Sequence, residues 1–95
     1  MSFKLMVKFI IKDGQAESFV EIMQGAKSQI EAAEGCGGVE VLHSADNPQV
    51  VVLSELWESK ALHDQYAEQM RSAGSMDGLA AFLAAPPESE FFSVK

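Results

Sequence analysis

The stretch Gln49-Val50-Val51-Val52-Leu53-Ser54-Glu55-Leu56-Trp57-Glu58 reads as a strand that is apolar on both sides. With a period of two, Val51, Leu53 and Trp57 share one face, and Val50, Val52 and Leu56 share the other. Asp46-Asn47-Pro48, just upstream, favours a turn through local side-chain bonds and a fixed φ. Before it, Val39 to Ser44 reads as a second strand, so the two form an antiparallel hairpin.

Working outward, residues 3 to 12 alternate. Phe3, Leu5, Val7, Phe9 and Ile11 fall on one face, and Lys4, Lys8 and Lys12 on the other, with Met6 and Ile10 among the lysines. Asp13-Gly14 breaks this strand and supplies a cap. From Gln15 to Glu34 the period becomes helical, with Ala16, Phe19, Val20, Met23, Ala26, Ile30 and Ala33 spaced by three and four. Gly35 is placed as the C-terminal cap, and Gly37-Gly38 leads into the hairpin. After it, Ser59 caps a second helix through about Arg71, whose stripe is Leu62, Tyr66 and Met70. Ser72 to Ser75 reads as a loop, and Met76 to Ala85 as a short helix with Leu79, Phe82 and Leu83 inward. Pro86-Pro87 ends it, and Glu90 to Val94 forms a fourth strand around Phe91-Phe92. The pattern predicts a single α+β domain over residues 1–95. Its arrangement is ferredoxin-like βαββαβ, with two helices covering one face of a four-stranded antiparallel sheet.

The other face should then be polar, because water would cover it. Instead it carries Val50, Val52, Leu56, Met6, Ile10 and one of Phe91 or Phe92. A large apolar patch marks an interface. Covering about 600 Å² of it would contribute roughly 15 kcal/mol before association costs. The expectation is a homodimer with two sheets face to face.

Charge and cysteine content narrow the partners. A net charge of −7, with the seven basic residues scattered, argues against nucleic acid and against an anionic membrane surface. No segment approaches the roughly 20 apolar residues of a membrane span, and the first residues do not read as a signal peptide. The single cysteine, Cys36, has no internal disulfide partner, so the expected compartment is the cytoplasm. The two histidines are far apart and no Cys pair exists, so no metal site is expected.

Several residues are candidates for chemistry. Glu55 shares a face with Val51, Leu53 and Trp57, where a carboxylate is costly unless paired. It reads either as a structural acid bonded to backbone or to a lysine, which its place near the strand end favours, or as a general base whose pKa burial has raised. His63 sits on the shoulder of the second helix's stripe, where a group titrating near neutrality suits proton transfer; a half-buried histidine bonded to a neighbour fits as well. Trp57 and Tyr66 offer flat aromatic walls for a planar substrate, with core filling an equal reading of Trp57, and Tyr66 adds a polar tip. His43 shares a strand face with Val39 and Val41 and is a candidate pocket residue, but its place at the hairpin end fits a solvated side chain equally. Phe82 is a candidate substrate contact, although core packing, as for Phe9 and Phe19, is the favoured reading. Cys36 reads as a small buried hydrophobe.

Glu34-Gly35-Cys36, then Asp46 to Pro48, then Glu55-Leu56-Trp57 and Leu62-His63 stand in the order found in the antibiotic biosynthesis monooxygenase domain family. The chain resembles that family along nearly its whole length, most closely its small bacterial quinol monooxygenase-like branch. The resemblance implies a dimeric α/β barrel. It also implies a cofactor-independent monooxygenase of a small planar phenol, quinol or enolisable ketone, with His63 or Glu55 as the base and no bound cofactor. An isomerase on the same scaffold and a non-catalytic small-molecule-binding dimer are the alternatives. The family's haem-degrading branch fits poorly. Its first strand carries an Asn that is absent here, and Tyr66 and Met76 stand near its Trp and His positions.

Overall fold

A computed structural model describes residues 2–72 and 78–95. The elements are β1 (Phe3–Ile10), α1 (Ala16–Glu31), β2 (Cys36–His43), β3 (Val50–Trp57), α2 (Lys60–Ser72), a 3-10 turn (Leu79–Phe82) and β4 (Glu88–Ser93). The sheet runs β2-β3-β1-β4 with every neighbour antiparallel, which is the ferredoxin-like order expected.

Register decides which residues meet. β1 lies against β3 so that Phe9 faces Val51, Val7 faces Leu53, Leu5 faces Glu55 and Phe3 faces Trp57. This set looks toward the helices. α1 lays Phe19, Met23 and Ile30 onto it, and Phe19 stacks between Phe9 at 5.0 Å and Phe82 at 6.0 Å. α2 carries no fully buried residue, so it is the less anchored of the two helices.

The turns follow the sequence. Asn47 Oδ1 accepts the Gln49 N–H at 3.1 Å, and Ser44 Oγ accepts the Asn47 N–H at 3.0 Å, closing the hairpin. Ser59 Oγ accepts the Leu62 N–H at 3.2 Å and caps α2.

Several boundaries differ from expectation: β1 ends at Ile10, β4 runs from Glu88 to Ser93, and four further differences have a visible cause. α1 stops at Glu31 with Ala32 as its cap, because the chain tightens there: the Ala33 N–H reaches Ile30 O at 3.0 Å. Gly35 lies in the following turn, at a left-handed φ of +86°. α1 starts without a side-chain cap, so Asp13 does not serve as one. β2 begins at Cys36 because a bulge between Cys36 and Gly38 takes both glycines into the strand. The helix expected from Met76 is a 3-10 turn over Leu79–Phe82, since the chain beyond it pairs with the end of β1: the Lys12 N–H donates to Phe82 O and the Ala84 N–H to Ile10 O, each at 2.8 Å. Residues 73–77, which include Met76 and most of the expected loop, lie outside the described residues.

The second face of the sheet carries the expected apolar patch, with Lys4, Lys8 and Glu40 on the same face by register. Val50, Val52 and Leu56 lie half-buried on it, and Leu42 and Phe92 remain 43% and 46% exposed. Pairing of Phe92 with Lys4 and of Phe91 with Leu5 puts Phe92 on this face and Phe91 on the helix side. Ser54 is buried among them, and its hydroxyl has no hydrogen-bond partner among the described residues.

Phe19 is fully buried between two other rings, so Phe19→Ala should cost about 3–5 kcal/mol of stability. Urea titration with an unchanged slope checks this; a loss near zero would show that the ring cluster does not hold α1 to the sheet.

Candidate functional site

β3 brings an acid and its donor to one face two residues apart. The Trp57 Nε1–H donates to Glu55 Oε1 at 2.8 Å, with Trp57 fully buried and Glu55 5% exposed. The sequence suggested backbone or a lysine as the partner of this carboxylate; the indole takes that role. Burial pushes the Glu55 carboxyl above the ordinary carboxylate range, and the indole hydrogen bond and the nearby His63 pull it partly back.

α2 supplies two rings from positions three apart, which share a helix face. His63 meets Trp57 edge-on at 5.3 Å, and Tyr66 lies 5.7 Å from Trp57. Phe91 of β4 closes over His63 at 4.9 Å. Only 17% of the His63 side chain is exposed, and its Nδ1 lies 3.3 Å from Asp64 Oδ1. Lys60 reaches Asp64 at 3.8 Å and lies over the Phe91 ring at 5.7 Å. Trp57 is thus the centre of the cluster rather than a free wall for a substrate.

Two more acids belong to this neighbourhood. Burial raises the Tyr66 hydroxyl, and the Glu55 and Cys36 charges raise it further. Cys36, the β-pairing partner of Trp57, is raised by burial, partly offset by its bond to the Gly38 carbonyl, and raised further by Glu55 and Glu31. A groove of about 200 Å³ opens between α1 and α2, with Tyr66, Leu62 and Ala33 at its floor and Gln29, Glu34, Gln65 and Gln69 around it. Tyr66 joins this groove to the buried cluster.

Four predicted residues therefore come together: Glu55, Trp57, His63 and Tyr66. Two do not. His43 is exposed at the hairpin end, with Nε2 2.7 Å from the Pro48 carbonyl. Its partner Val51 is six residues from Trp57, roughly 20 Å along the strand. Phe82 stacks on Phe19 near that same end, because the chain around it pairs with the end of β1. Phe91 was missed as a site residue, since Phe91 and Phe92 are adjacent and only the β4 register separates them. Among the described residues, no group of three or more His, Cys, Asp or Glu side chains is placed to hold a metal ion.

Glu55 holds its proton more tightly in the folded state than in the unfolded chain. Stability should therefore fall as pH rises from about 4.3 through the raised value. Glu55→Gln keeps an acceptor for the indole and should flatten that decline, leaving the variant more stable than wild type at neutral pH by denaturant titration. Trp57→Phe removes a donor that favours the charged form, so the Glu55 pKa should rise further in a carbon-13 carboxyl titration. A fall would show that the indole bond is not what restrains it.

Residues 2–85 match the sequence profile of the family described as antibiotic biosynthesis monooxygenase. No curated protein matches the chain. Among solved structures, a candidate antibiotic biosynthesis monooxygenase from Nitrosomonas europaea is similar with a TM-score of 0.88 and 22% identity, over 98% of this chain and 89% of that one. A conserved protein from Methanosarcina mazei gives a TM-score of 0.88 at 18% identity, over 100% and 94%. A mutant of SnoaB, a cofactor-independent oxygenase from Streptomyces nogalater, gives 0.83 at 14% identity, over 99% and 93%. Likeness at these identities carries the fold, and the profile carries the kinship: the chain belongs to the antibiotic biosynthesis monooxygenase family.

Proposed function

We propose that this protein is a cofactor-independent monooxygenase of a small planar phenol, quinol or enolisable ketone. The observation that carries the reading is a carboxyl buried to 5% exposure and biased toward its protonated form, beside His63. Such a group is a better proton acceptor at neutral pH than an ordinary carboxylate. Glu55 or His63 takes a proton from the substrate, and the resulting electron-rich anion reacts with dioxygen. One oxygen atom stays in the product. The other leaves as water with two hydrogens from the substrate, so the substrate itself is the reductant. The groove at Tyr66 gives the approach, and the Tyr66 hydroxyl binds the substrate oxygen. Glu34 at the rim and the net charge of −7 favour a neutral substrate over a phosphorylated one. The kinship and the SnoaB likeness support the same chemistry.

A non-catalytic small-molecule-binding dimer is the second reading. It is favoured by the fact that the groove is lined by Tyr66 but not by Glu55 or His63. Oxygen uptake separates the two, and also separates an oxygenase from an isomerase that would use the same proton transfer. With a panel of quinols in an oxygen electrode, wild type should consume dioxygen, and His63→Ala and Glu55→Gln should lose about 10²–10⁴-fold in kcat for whichever group is the base. Equal rates in all three proteins would remove the assignment.

A second copy of the chain covers the apolar sheet face in this reading, and the molecule works in the cytoplasm. Sedimentation at micromolar concentration should give twice the 10.3 kDa chain mass. Val52→Asp, at the middle of that face, should shift it to the single chain; an unchanged species would place the interface elsewhere.

A further inference from the structure

Gly35 lies directly against α2, with no room for a side chain. A Cβ built on it would lie 2.5 Å from Leu62 Cδ1, 3.0 Å from Leu62 Cβ and 3.2 Å from Leu62 Cγ. Rotation of the leucine relieves the first and third contacts. It cannot relieve the second, because a Cβ is fixed to the helix backbone and moves only with it. The turn is also pinned on its other side, where the Gly35 carbonyl accepts the Glu58 N–H at 2.7 Å, one residue past Trp57. Ser59 then starts α2, accepting the Leu62 N–H at 3.2 Å on its hydroxyl and the His63 N–H at 3.3 Å on its carbonyl. The end of β3, the turn after α1 and the first turn of α2 thus meet at one residue without a side chain.

We infer that Gly35 is a positioning residue for the site: the bare backbone at Gly35 lets Leu62 seat directly on it, and this seat sets how closely α2 brings His63 to Trp57 and Phe91. The consequence for turnover rests on the oxygenase reading. The consequence for geometry does not, because His63 follows Leu62 in α2 and packs between those two rings at 5.3 and 4.9 Å. α2 has no buried residue of its own to hold it against displacement.

A positive φ complicates any substitution here, since Gly35 lies at +86°. Gly14 provides the control. Its φ is +78°, yet a Cβ built there meets nothing within 4 Å. Gly14→Ala therefore carries the backbone strain alone, and Gly35→Ala carries strain plus contact.

The test compares wild type, Gly14→Ala, Gly35→Ala, Leu62→Gly, which removes the fixed Cβ, and the double variant Gly35→Ala/Leu62→Gly. The readouts are His63 imidazole chemical shifts, which sense the ring currents of Trp57 and Phe91, and the near-ultraviolet circular dichroism of Trp57. Gly14→Ala should leave both signals in place, and Gly35→Ala should move both. In the Leu62→Gly background the same Gly35 change should have little effect beyond the strain that Gly14→Ala carries, since all three contacts, the fixed Cβ included, are gone. An unmoved His63 in Gly35→Ala, or an equal shift with and without Leu62, would overturn the proposal. Should Gly35→Ala fail to fold, the double variant should regain a folded spectrum; if it does not, backbone strain rather than the Leu62 seat explains the glycine, and the proposal falls. Oxygen uptake is read separately: in Gly35→Ala it should fall mainly through kcat. If wild type shows no uptake, the oxygenase reading fails while the spectra still decide the role of Gly35.

Discussion

A carboxylate inside an apolar layer needs a hydrogen-bond donor or gives up its charge, and Glu55 sits at that boundary. β3 answers the need from within itself. The pleat turns residues two apart to the same face, so Trp57 brings its indole N–H to Glu55 with no help from another element. That bond fixes the plane of the largest side chain in the core. His63 and Tyr66 are then arranged by the ring they pack on, and Phe91 closes over His63 from the edge strand β4, on the far side of β1. Loss of the indole donor would leave a buried carboxylate unpaired, which the layer does not tolerate cheaply.

The same strand sets both faces of the sheet at once. Alternation puts Glu55 and Trp57 toward the helices only because Ser54 and Leu56 point away. A slip of one residue would move the acid to the outer face and Leu56 toward His63. Pairing of Leu5 with Glu55 and of Val39 with the same residue holds this register from both sides. The buried cluster and the apolar back face are therefore two results of one alignment. Ser54, buried without a partner on that back face, is the one polar group the alignment leaves unsatisfied among the described residues.

Much of this is legible in the sequence because period-two and period-3.6 patterns state which face a residue occupies. Those patterns place Glu55 and Trp57 on one face of β3, and His63 and Tyr66 on or beside the inward stripe of α2, as in the structure. A pattern does not state where along an element a residue meets its neighbour. His43 lies on the correct face of β2 and is still at the far end, bonded to the hairpin's own Pro48. Phe82 shares the helix side but belongs with Phe19, since a short segment after the undescribed residues pairs with the end of β1. Phe91 and Phe92 could not be told apart, because two adjacent aromatics fit either phase of a strand. The bulge at Gly37 was hidden too: glycines read as a turn, whereas here they let β2 begin three residues early.

The three acids of the site divide by their ordinary strengths. Burial holds Glu55, Cys36 and Tyr66 toward their protonated forms; the Glu55 charge adds to this at Cys36 and Tyr66, while the Trp57 indole and His63 oppose it at Glu55 itself. The thiol and the phenol already favour the neutral form at pH 7, so raising them makes both firmly neutral. Only the carboxyl starts low enough for the same push to bring it nearer the working pH. On the oxygenase reading this matters for the charge of the site. A proton passing from a phenol to Glu55 exchanges one buried negative charge for another, with no second charge created in the low-dielectric interior. The new anion then lies beside a neutral acid and a neutral tyrosine hydroxyl able to donate to it. An ordinary exposed carboxylate would offer neither the basicity nor that balance, so the burial that makes Glu55 costly to fold around is also what fits it to accept the proton.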